Sequence, residues 1–165
     1  LRRRAGLPER VAVGGFADDS VQLISTAMYR DLVLKWHVFW CDETDEAAGK
    51  PLTRFCHLCG DATRHFKTIR DAVGVGSFDT GFPVDHGGLR RELGPAVTIS
   101  GGPHIGLLRS GTPGACYLEA ERILKSGVRD GGRFILQEGN NLPPCCPPEN
   151  LQAVYQACLD HGRFA

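Results

Sequence analysis

The sequence lacks a net charge, a membrane-length apolar run and the apolar core of a secretory signal. Its 19 basic and 19 acidic residues balance, and apart from residues 2–4 the basic side chains are scattered, so no broad phosphate-binding surface is expected. No apolar run approaches the ~20 residues of a membrane span. We therefore expect a cytoplasmic protein with neither a nucleic-acid nor a membrane partner.

An even disulfide framework is also missing. The seven cysteines are an odd number, and they do not have the spacing of a secreted disulfide scaffold. Free thiols or metal ligands are the better interpretation. The chain starts at Leu1 rather than at a methionine, and we expect residue 1 to be an artificial boundary.

Short apolar runs alternate with longer helical stretches along the whole chain. Each run ends at glycine or at polar residues, which is typical of strands followed by turns. The predicted strands lie at residues 11–13, 52–57, 75–78, 96–99 and 134–136. The predicted helices lie at residues 26–40, around 66–73, at about 85–93, from 113 to Gly127 and from 148 to Gly162.

The first helix has the clearest pattern, because five large apolar side chains recur at helical spacing. Ser25 is its expected N-cap, and the charged residues 42–50 are expected to form a loop. The side chains predicted to share its buried face are Tyr29, Leu32, Val33, Trp36 and Trp40.

Five strands that alternate with five helices predict a parallel sheet, since parallel neighbours need a crossover of a dozen or more residues. The pattern fits a doubly wound open sheet and a segment of a (β/α) barrel equally well. We expect one α/β domain over residues 1–165, which is short of the roughly 250 residues of a closed eight-stranded barrel.

Polar residues and glycines gather just after the carboxyl end of each predicted strand, the edge at which parallel sheets bind ligands. Loops are polar in any case, so each cluster alone is a weak indication. Five clusters on successive strands would nevertheless converge on one rim. They are residues 18–19, 57–61, 79–81, 101–104 and 138–141.

His57 and Cys59 are two residues apart at a strand end, so their side chains point to the same side. Imidazole and thiolate suit zinc. The alternative is a buried cysteine beside a hydrogen-bonded histidine. A third ligand must come from another loop, and the candidates are Glu138, Asp18 or Asp19, and Cys145 or Cys146. Cys56 points the other way and is expected in the core.

Five further residues carry a functional and a structural interpretation. Asp19, with its neighbour Asp18, is a candidate acid or base, or a helix cap. Asp79 is a candidate catalytic carboxylate or a loop cap. Gly101 and Gly102 either admit a ligand close to the backbone or only permit a turn. His104 either reaches the rim or is a solvated loop residue.

From about Ala12 to Phe164 the chain resembles the C-terminal half of the uroporphyrinogen decarboxylase and corrinoid-dependent methyltransferase superfamily. The order and spacing of the matching segments are specific. These segments are residues 15–20 (GFADDS), 57–61 (HLCGD), 78–80 (FDT), 94–102 (GPAVTISGG), 131–136 (GGRFIL) and 147–151 (PPENL).

The resemblance implies a TIM-type (β/α)8 barrel to which this chain contributes about five C-terminal βα units, the N-terminal strands being absent. It also implies that His57 and Cys59 occupy the zinc site of the methyltransferases, a pair that the decarboxylases lack. After the last strand the methyltransferases have a third cysteine ligand and the decarboxylases a histidine. Asn140 stands there in this chain, and asparagine is a poor zinc ligand.

The expected function is zinc-assisted methyl transfer to or from a corrinoid, with His57, Cys59 and Glu138 as metal ligands. Asp19 and Asp79 are the expected catalytic residues. The residues expected to line the substrate pocket are Gly101, Gly102, His104, Asn140 and Asn141. One alternative is cofactor-free decarboxylation of uroporphyrinogen or a similar polycarboxylate.

A further alternative is a catalytically silent fragment. A partial barrel would expose two unpaired sheet edges, which invite pairing with another chain. The expected partner is a second copy of the chain or the missing N-terminal half, besides a small-molecule or corrinoid substrate.

Overall fold

In the part of the chain that the structure describes, five parallel strands form one sheet, in the same order in space as in the sequence. The computed structural model describes residues 3–6 and 13–163, so Val11 and Ala12 of the first predicted strand lie outside the described residues. The strands are β1 (Val13–Ala17), β2 (Thr53–Leu58), β3 (Ser77–Thr80), β4 (Thr98–Gly101) and β5 (Phe134–Leu136).

Helices follow every strand. Short 3-10 turns at Asp19–Leu23 and Thr63–His65 precede the first and third of these helices. The helices are α1 (Thr26–Met28), α2 (Leu34–Ala48), α3 (Phe66–Val73), α4 (His86–Leu93), α5 (Ile105–Ser110), α6 (Pro113–Leu124) and α7 (Pro148–His161), with a π turn (Tyr29–Val33) that joins α1 to α2. No helix within the described ranges is both long and apolar enough to cross a membrane.

The strand order decides between the two parallel folds that the sequence permits. A doubly wound sheet reverses its strand order at a switch point, whereas among residues 3–6 and 13–163 each strand pairs only with its neighbours in sequence. Successive right-handed crossovers then place all helices on one side of the sheet, as in a barrel. The prediction of a partial TIM-type barrel made of βα units is confirmed.

The two faces of the sheet differ because side chains alternate along each strand. Cys56, Phe78 and Ile99 are fully buried in the core, on the face that the helices cover. The ring of Phe66 in α3, for example, packs edge-on against Phe78 with 5.2 Å between centroids. The prediction that Cys56 lies in the core is confirmed, and the intervening residues of each strand face the opposite side.

The first long helix differs from its prediction in length. It was expected to end near residue 40 and to be followed by a charged loop, but α2 continues to Ala48 and ends at Gly49, whose φ is 66°. The charged residues are compatible with a solvated helix face, so charge alone did not indicate a loop. Asp45 accepts a hydrogen bond from the Leu52 amide (2.9 Å) and joins the helix end to β2.

The apolar face predicted for this helix is correct at Tyr29, which is buried, and at Val33, which packs against the core, and wrong at the other three positions. Leu32, Trp36 and Trp40 are 57%, 60% and 52% exposed, whereas Tyr29 and Cys41 are buried. The π turn adds a residue to one turn and shifts the phase of everything that follows it. A regular 3.6-residue period therefore assigns the aromatic side chains after the turn to the wrong side.

Arg90 of α4 holds together the segments that precede β4 and β5. Arg90 is 3% exposed, and its guanidinium donates to the carbonyl oxygens of Val128 (2.9 Å), Gly94 (2.8 Å), Val97 (2.6 Å) and Arg133 (2.7 Å). The five donors of a guanidinium suit such a set of acceptors. Burial lowers the pKa of Arg90, and these carbonyls compensate for the loss of water.

Replacing Arg90 by methionine keeps the length of the side chain and removes a donor from four carbonyl oxygens, of which the hydrogen bonds to Val128 and Val97 are buried. We expect the free energy of unfolding to fall by about 3 kcal/mol, measured by urea denaturation. The matched control is Arg91→Met, because Arg91 is exposed and makes only a 3.8 Å contact with Asp85. Equal losses in the two variants would contradict the role given to Arg90.

His86, the first residue of α4, is a buried polar residue of a different kind. It is 4% exposed, and within the described part of the chain neither of its ring nitrogens has a hydrogen-bond partner. Burial, followed by the charge of Arg122, lowers the pKa of His86 from 6.5 to about 4. The neutral imidazole is therefore the form that the fold accommodates.

This pKa predicts how stability depends on pH. Between pH 6.5 and about 4 the unfolded chain binds a proton that the folded chain excludes at His86, so the folded state loses stability as the pH falls. Compared with a His86→Phe variant, the wild type should lose roughly 1 kcal/mol per pH unit in this window. Urea denaturation at a series of pH values measures the difference, and a constant difference would contradict the assignment.

Candidate functional site

The register of the parallel strands places one residue of each of β1 to β4 in a row across the uncovered face of the sheet. Ala17 is paired with His57, His57 with Asp79, and Asp79 with Ser100. The row lies at the carboxyl ends of these strands, so the loops that follow them are neighbours. The polar clusters after β1, β2 and β3 therefore converge, as the alternation of strands and helices predicted.

Three potential metal ligands meet at this edge. The Nε2 atom of His57 lies 2.9 Å from Sγ of Cys59 and 3.7 Å from Oδ1 of Asp19. All three ligand atoms lie within 4.8 Å of one another. The cluster combines a nitrogen donor from the end of β2 with a sulfur and an oxygen donor from the loops after β2 and β1.

The loop backbone holds Asp19 and Cys59 together. Oδ1 of Asp19 accepts a hydrogen bond from the Cys59 amide at 2.8 Å, which ties the start of the first 3-10 turn to the end of β2. The chain turns directly after Cys59 at Gly60, whose φ is 68°. The positive φ favours glycine there, and a Cβ would also lie 1.8 Å from Oε1 of Gln22, so that side chain would have to move.

A second layer of contacts orients His57. Its Nδ1 lies 2.7 Å from Oδ2 of Asp79, and Oδ1 of Asp79 accepts a hydrogen bond from Nε2 of Gln137 at 2.6 Å. A carboxylate only accepts hydrogen bonds, so the ring proton belongs on Nδ1 and Nε2 is left to face Cys59 and Asp19. Gln137, just after β5, was not predicted as a site residue from the sequence. The only sequence feature that could have indicated it is its position next to Glu138, a candidate metal ligand.

The cysteine of the cluster is a thiol in this environment. Burial, followed by the charge of Asp19, raises the pKa of Cys59 to about 11. Two carboxylates near the sulfur make a free thiolate unfavourable, and a bound cation would reverse that effect. The local electrostatics thus favour a positive charge at this position.

A buried polar chain lies behind the cluster and was also missed from the sequence. Oδ2 of Asp18 lies 3.2 Å from Nε2 of His37, and Nδ1 of His37 lies 2.8 Å from the hydroxyl of Tyr29. Burial lowers the pKa of His37 while Asp18 acts in the opposite direction, and burial raises the pKa of Tyr29. The chain fixes Asp18, and with it the turn that presents Asp19.

Residues 9–161 match the family model for uroporphyrinogen decarboxylase (URO-D). The chain belongs to this family. No curated protein matched the sequence in a search. The resemblance that the sequence motifs indicated is therefore confirmed at the level of the superfamily.

A methyltransferase from Methanosarcina mazei has a similar structure, with a TM-score of 0.69 and 17% sequence identity. The similarity covers 98% of this chain and 44% of the methyltransferase. At this identity the comparison shows a shared fold. The URO-D chain spans less than half the length of this structural relative.

The glycines expected to bind substrate in this URO-D chain are buried and in contact with their own neighbours. A Cβ on Gly102 would lie 1.8 Å from the Gln137 carbonyl oxygen, and one on Gly101 would lie 2.2 Å from Oγ1 of Thr80. Both positions therefore need glycine for close packing between strands. His104 is exposed and caps α5, since its Nδ1 accepts from the Gly106 amide at 2.7 Å.

The remaining predicted residues follow β5 and lie outside the cluster. Glu138 lines a cavity of about 200 Å³ together with Leu136 and Tyr155. The potential metal ligand that lies with His57 and Cys59 is Asp19 and not Glu138. Asn140 is half-buried and Asn141 exposed. The pairing of β5 with β4 ends at Leu136. The next residue, Gln137, contacts the row of polar side chains through Asp79.

The orientation of His57 generates a direct test. Removing the acceptor in an Asp79→Ala variant should change the imidazole from the single tautomer protonated on Nδ1 to a mixture, because nothing then selects the proton position. Long-range ¹H–¹⁵N NMR correlations of the ring report the tautomer. Asp61→Ala is the control, since Asp61 is exposed on the same loop; an unchanged tautomer in the Asp79 variant would contradict the assignment.

Proposed function

We propose that the protein is a zinc-assisted methyltransferase that acts with a corrinoid. The observation that carries the proposal is the convergence of His57, Cys59 and Asp19 within 4.8 Å, in a chain of the URO-D family. The shared fold with a methyltransferase supports it. Asp19 replaces Glu138 as the proposed third ligand.

The residues of the cluster fit a zinc ion. Zinc bonds of about 2.0–2.3 Å in a tetrahedron place ligand atoms roughly 3.3–3.8 Å apart. The separation of 3.7 Å between His57 and Asp19 is already in this range, and the 2.9 Å contact of His57 with Cys59 needs only a small side-chain adjustment. Three protein ligands leave one position for a substrate, which is the arrangement of catalytic zinc sites.

Bound zinc would supply Lewis acidity, which favours the thiolate form of a coordinated thiol acceptor. Residues of this chain orient the His57 imidazole toward the metal position. Asp79 keeps the proton of His57 on Nδ1, and Gln137 holds the Asp79 carboxylate in place. Partners of this kind orient the first ligand and raise its basicity. We therefore assign Asp79 a positioning role and Asp19 a direct role at the site.

Zinc binding discriminates between the two candidate third ligands. An Asp19→Asn variant should bind zinc at least tenfold more weakly than the wild type, because a charged oxygen ligand is lost, and Cys59→Ser should show a similar loss. The measurement is equilibrium dialysis followed by metal analysis. Glu138→Gln is the matched control and should bind as the wild type does. A loss with Glu138→Gln and none with Asp19→Asn would contradict the assignment.

A cofactor-free decarboxylase of uroporphyrinogen is the second candidate, favoured by the family model that matches the chain. The two proposals differ in substrate and in metal dependence. Release of carbon dioxide from uroporphyrinogen that is unaffected by a chelator or by Cys59→Ser would support decarboxylation. Methyl transfer from a methylated corrinoid to a thiol, lost on chelation, would support the first proposal.

The exposed edges of the sheet support a proposal about partners. Among the described residues, β1 and β5 each pair with one strand only. Large apolar side chains lie exposed beside both edge strands, including Val13 and Trp40 at β1 and Ile135 and Tyr155 at β5. We propose that further βα units of the same protein cover these edges, which agrees with the 44% of the structural relative that this chain spans.

This proposal predicts self-association of the isolated chain through its edges. Sedimentation of the 165-residue chain should show dimers or larger species, because unpaired parallel strands invite further pairing. Addition of a separately expressed segment with the preceding βα units should convert them into a one-to-one complex. A stable monomer with no affinity for that segment would contradict the proposal.

A further inference from the structure

The ligands of the candidate metal site come from two loops that the sheet itself does not join. The last contact between β1 and β2 is the hydrogen bond from the Asp18 amide to the His57 carbonyl oxygen, at 3.3 Å. Asp19 begins the 3-10 turn that follows β1, whereas Cys59 lies in the loop after β2. Contacts between these two loops therefore decide whether Asp19 stays close to the other two ligands.

Arg64 connects the two loops through its side chain. It lies in the 3-10 turn after β2, and its Nη1 donates to the carbonyl oxygen of Asp61 in the same loop at 3.2 Å. Its Nε donates to the carbonyl oxygen of Ile24 at 3.1 Å, and its Nη2 donates to that of Gln22. The rigid fork of a guanidinium suits such a set of separate acceptors. Arg64 thus holds the end of the turn that Asp19 begins.

Two further hydrogen bonds cross between the same segments. Oγ1 of Thr26 donates to the backbone carbonyl oxygen of Arg64 at 3.2 Å. Nε2 of His65 lies 3.2 Å from the carbonyl oxygen of Ile24, and since a carbonyl only accepts, the ring proton belongs on Nε2. His65 is fully buried, whereas Arg64 is exposed. Arg64 can therefore be replaced without leaving a cavity in the core.

The positive charge of Arg64 cannot by itself favour a bound metal cation, because like charges repel. If the charge were its only influence on the site, its removal would strengthen zinc binding. If its hydrogen bonds hold Asp19 in place, its removal would weaken zinc binding. The sign of the change therefore separates an electrostatic effect from a geometric one.

We propose that Arg64 is a positioning residue of the candidate metal site. It holds the loop that carries Asp19 against the loop that carries Cys59, so that Asp19 already lies 3.7 Å from His57 before a metal binds. Binding to ligands that are held together in advance avoids the entropic cost of ordering them. This inference rests on the proposed zinc site.

Replacing Arg64 by methionine should weaken zinc binding about five- to tenfold, near the lower end of the effect of losing a group that orients a ligand. Equilibrium dialysis with metal analysis measures the affinity. Arg70→Met is the matched control, because Arg70 also donates to two carbonyl oxygens, those of Glu92 (3.0 Å) and Leu93 (2.8 Å) at the end of α4. This control should bind zinc as the wild type does. An equal loss in both variants would overturn the proposal.

A double-mutant cycle tests whether Arg64 acts through Asp19. In an Asp19→Asn background the additional Arg64→Met change should have no further effect on zinc affinity, because the ligand that it positions is already lost. A general loss of structure would instead lower the affinity by the same factor in both backgrounds. That result, or tighter zinc binding in the Arg64→Met variant, would overturn the proposal.

Hydrogen exchange of the Cys59 amide provides a test that needs no metal. Oδ1 of Asp19 accepts a hydrogen bond from this amide, so a loosened loop should expose it more often. We expect exchange roughly fivefold faster in Arg64→Met than in the wild type, with no change in Arg70→Met. A wild type that binds no zinc would contradict the proposed function, whereas an unchanged Cys59 exchange rate in Arg64→Met would overturn the role of Arg64.

Discussion

The register between β2 and its neighbours is the constraint on which the candidate site depends. It aligns Ala17, His57 and Asp79 in one row, so that the loop after β1 meets the loop after β2 and the imidazole meets its carboxylate. A shift of one residue would turn His57 into the core and bring Cys56 to the open face, since successive side chains point to opposite sides. The packed core fixes this register, because Cys56, Leu58 and Phe78 are fully buried on the covered face.

The sequence predicted those parts of the structure that repeat or that lie close together along the chain. Short apolar runs between glycines are sufficient to predict parallel strands, and a spacing of two residues is sufficient to place His57 and Cys59 on one side of a strand end. Thr112 followed by Pro113 marks the start of α6, where the Thr112 side chain accepts from the Ala115 amide. Each of these features is determined by local backbone geometry.

The parts that could not be predicted depend on distance in three dimensions or on a local change of helical phase. The third potential ligand, Asp19, is joined to Cys59 by a hydrogen bond across 40 positions of sequence, and Gln137 reaches Asp79 across 58. No spacing rule distinguishes Asp19 from Asp18 or Glu138. The π turn has no sequence signature of its own, so the exposure of Trp36 and the burial of His37 came only from the structure.

X-ray absorption at the zinc edge tests most directly whether Asp19, His57 and Cys59 can share one metal ion. The zinc-loaded chain should show a single sulfur neighbour at about 2.3 Å, with all other neighbours nitrogen or oxygen at about 2.0–2.2 Å, including the imidazole scattering pattern. The sulfur contribution should disappear in Cys59→Ser. Two or more sulfur neighbours, or a spectrum without sulfur in the wild type, would show that zinc binds elsewhere and would contradict the account.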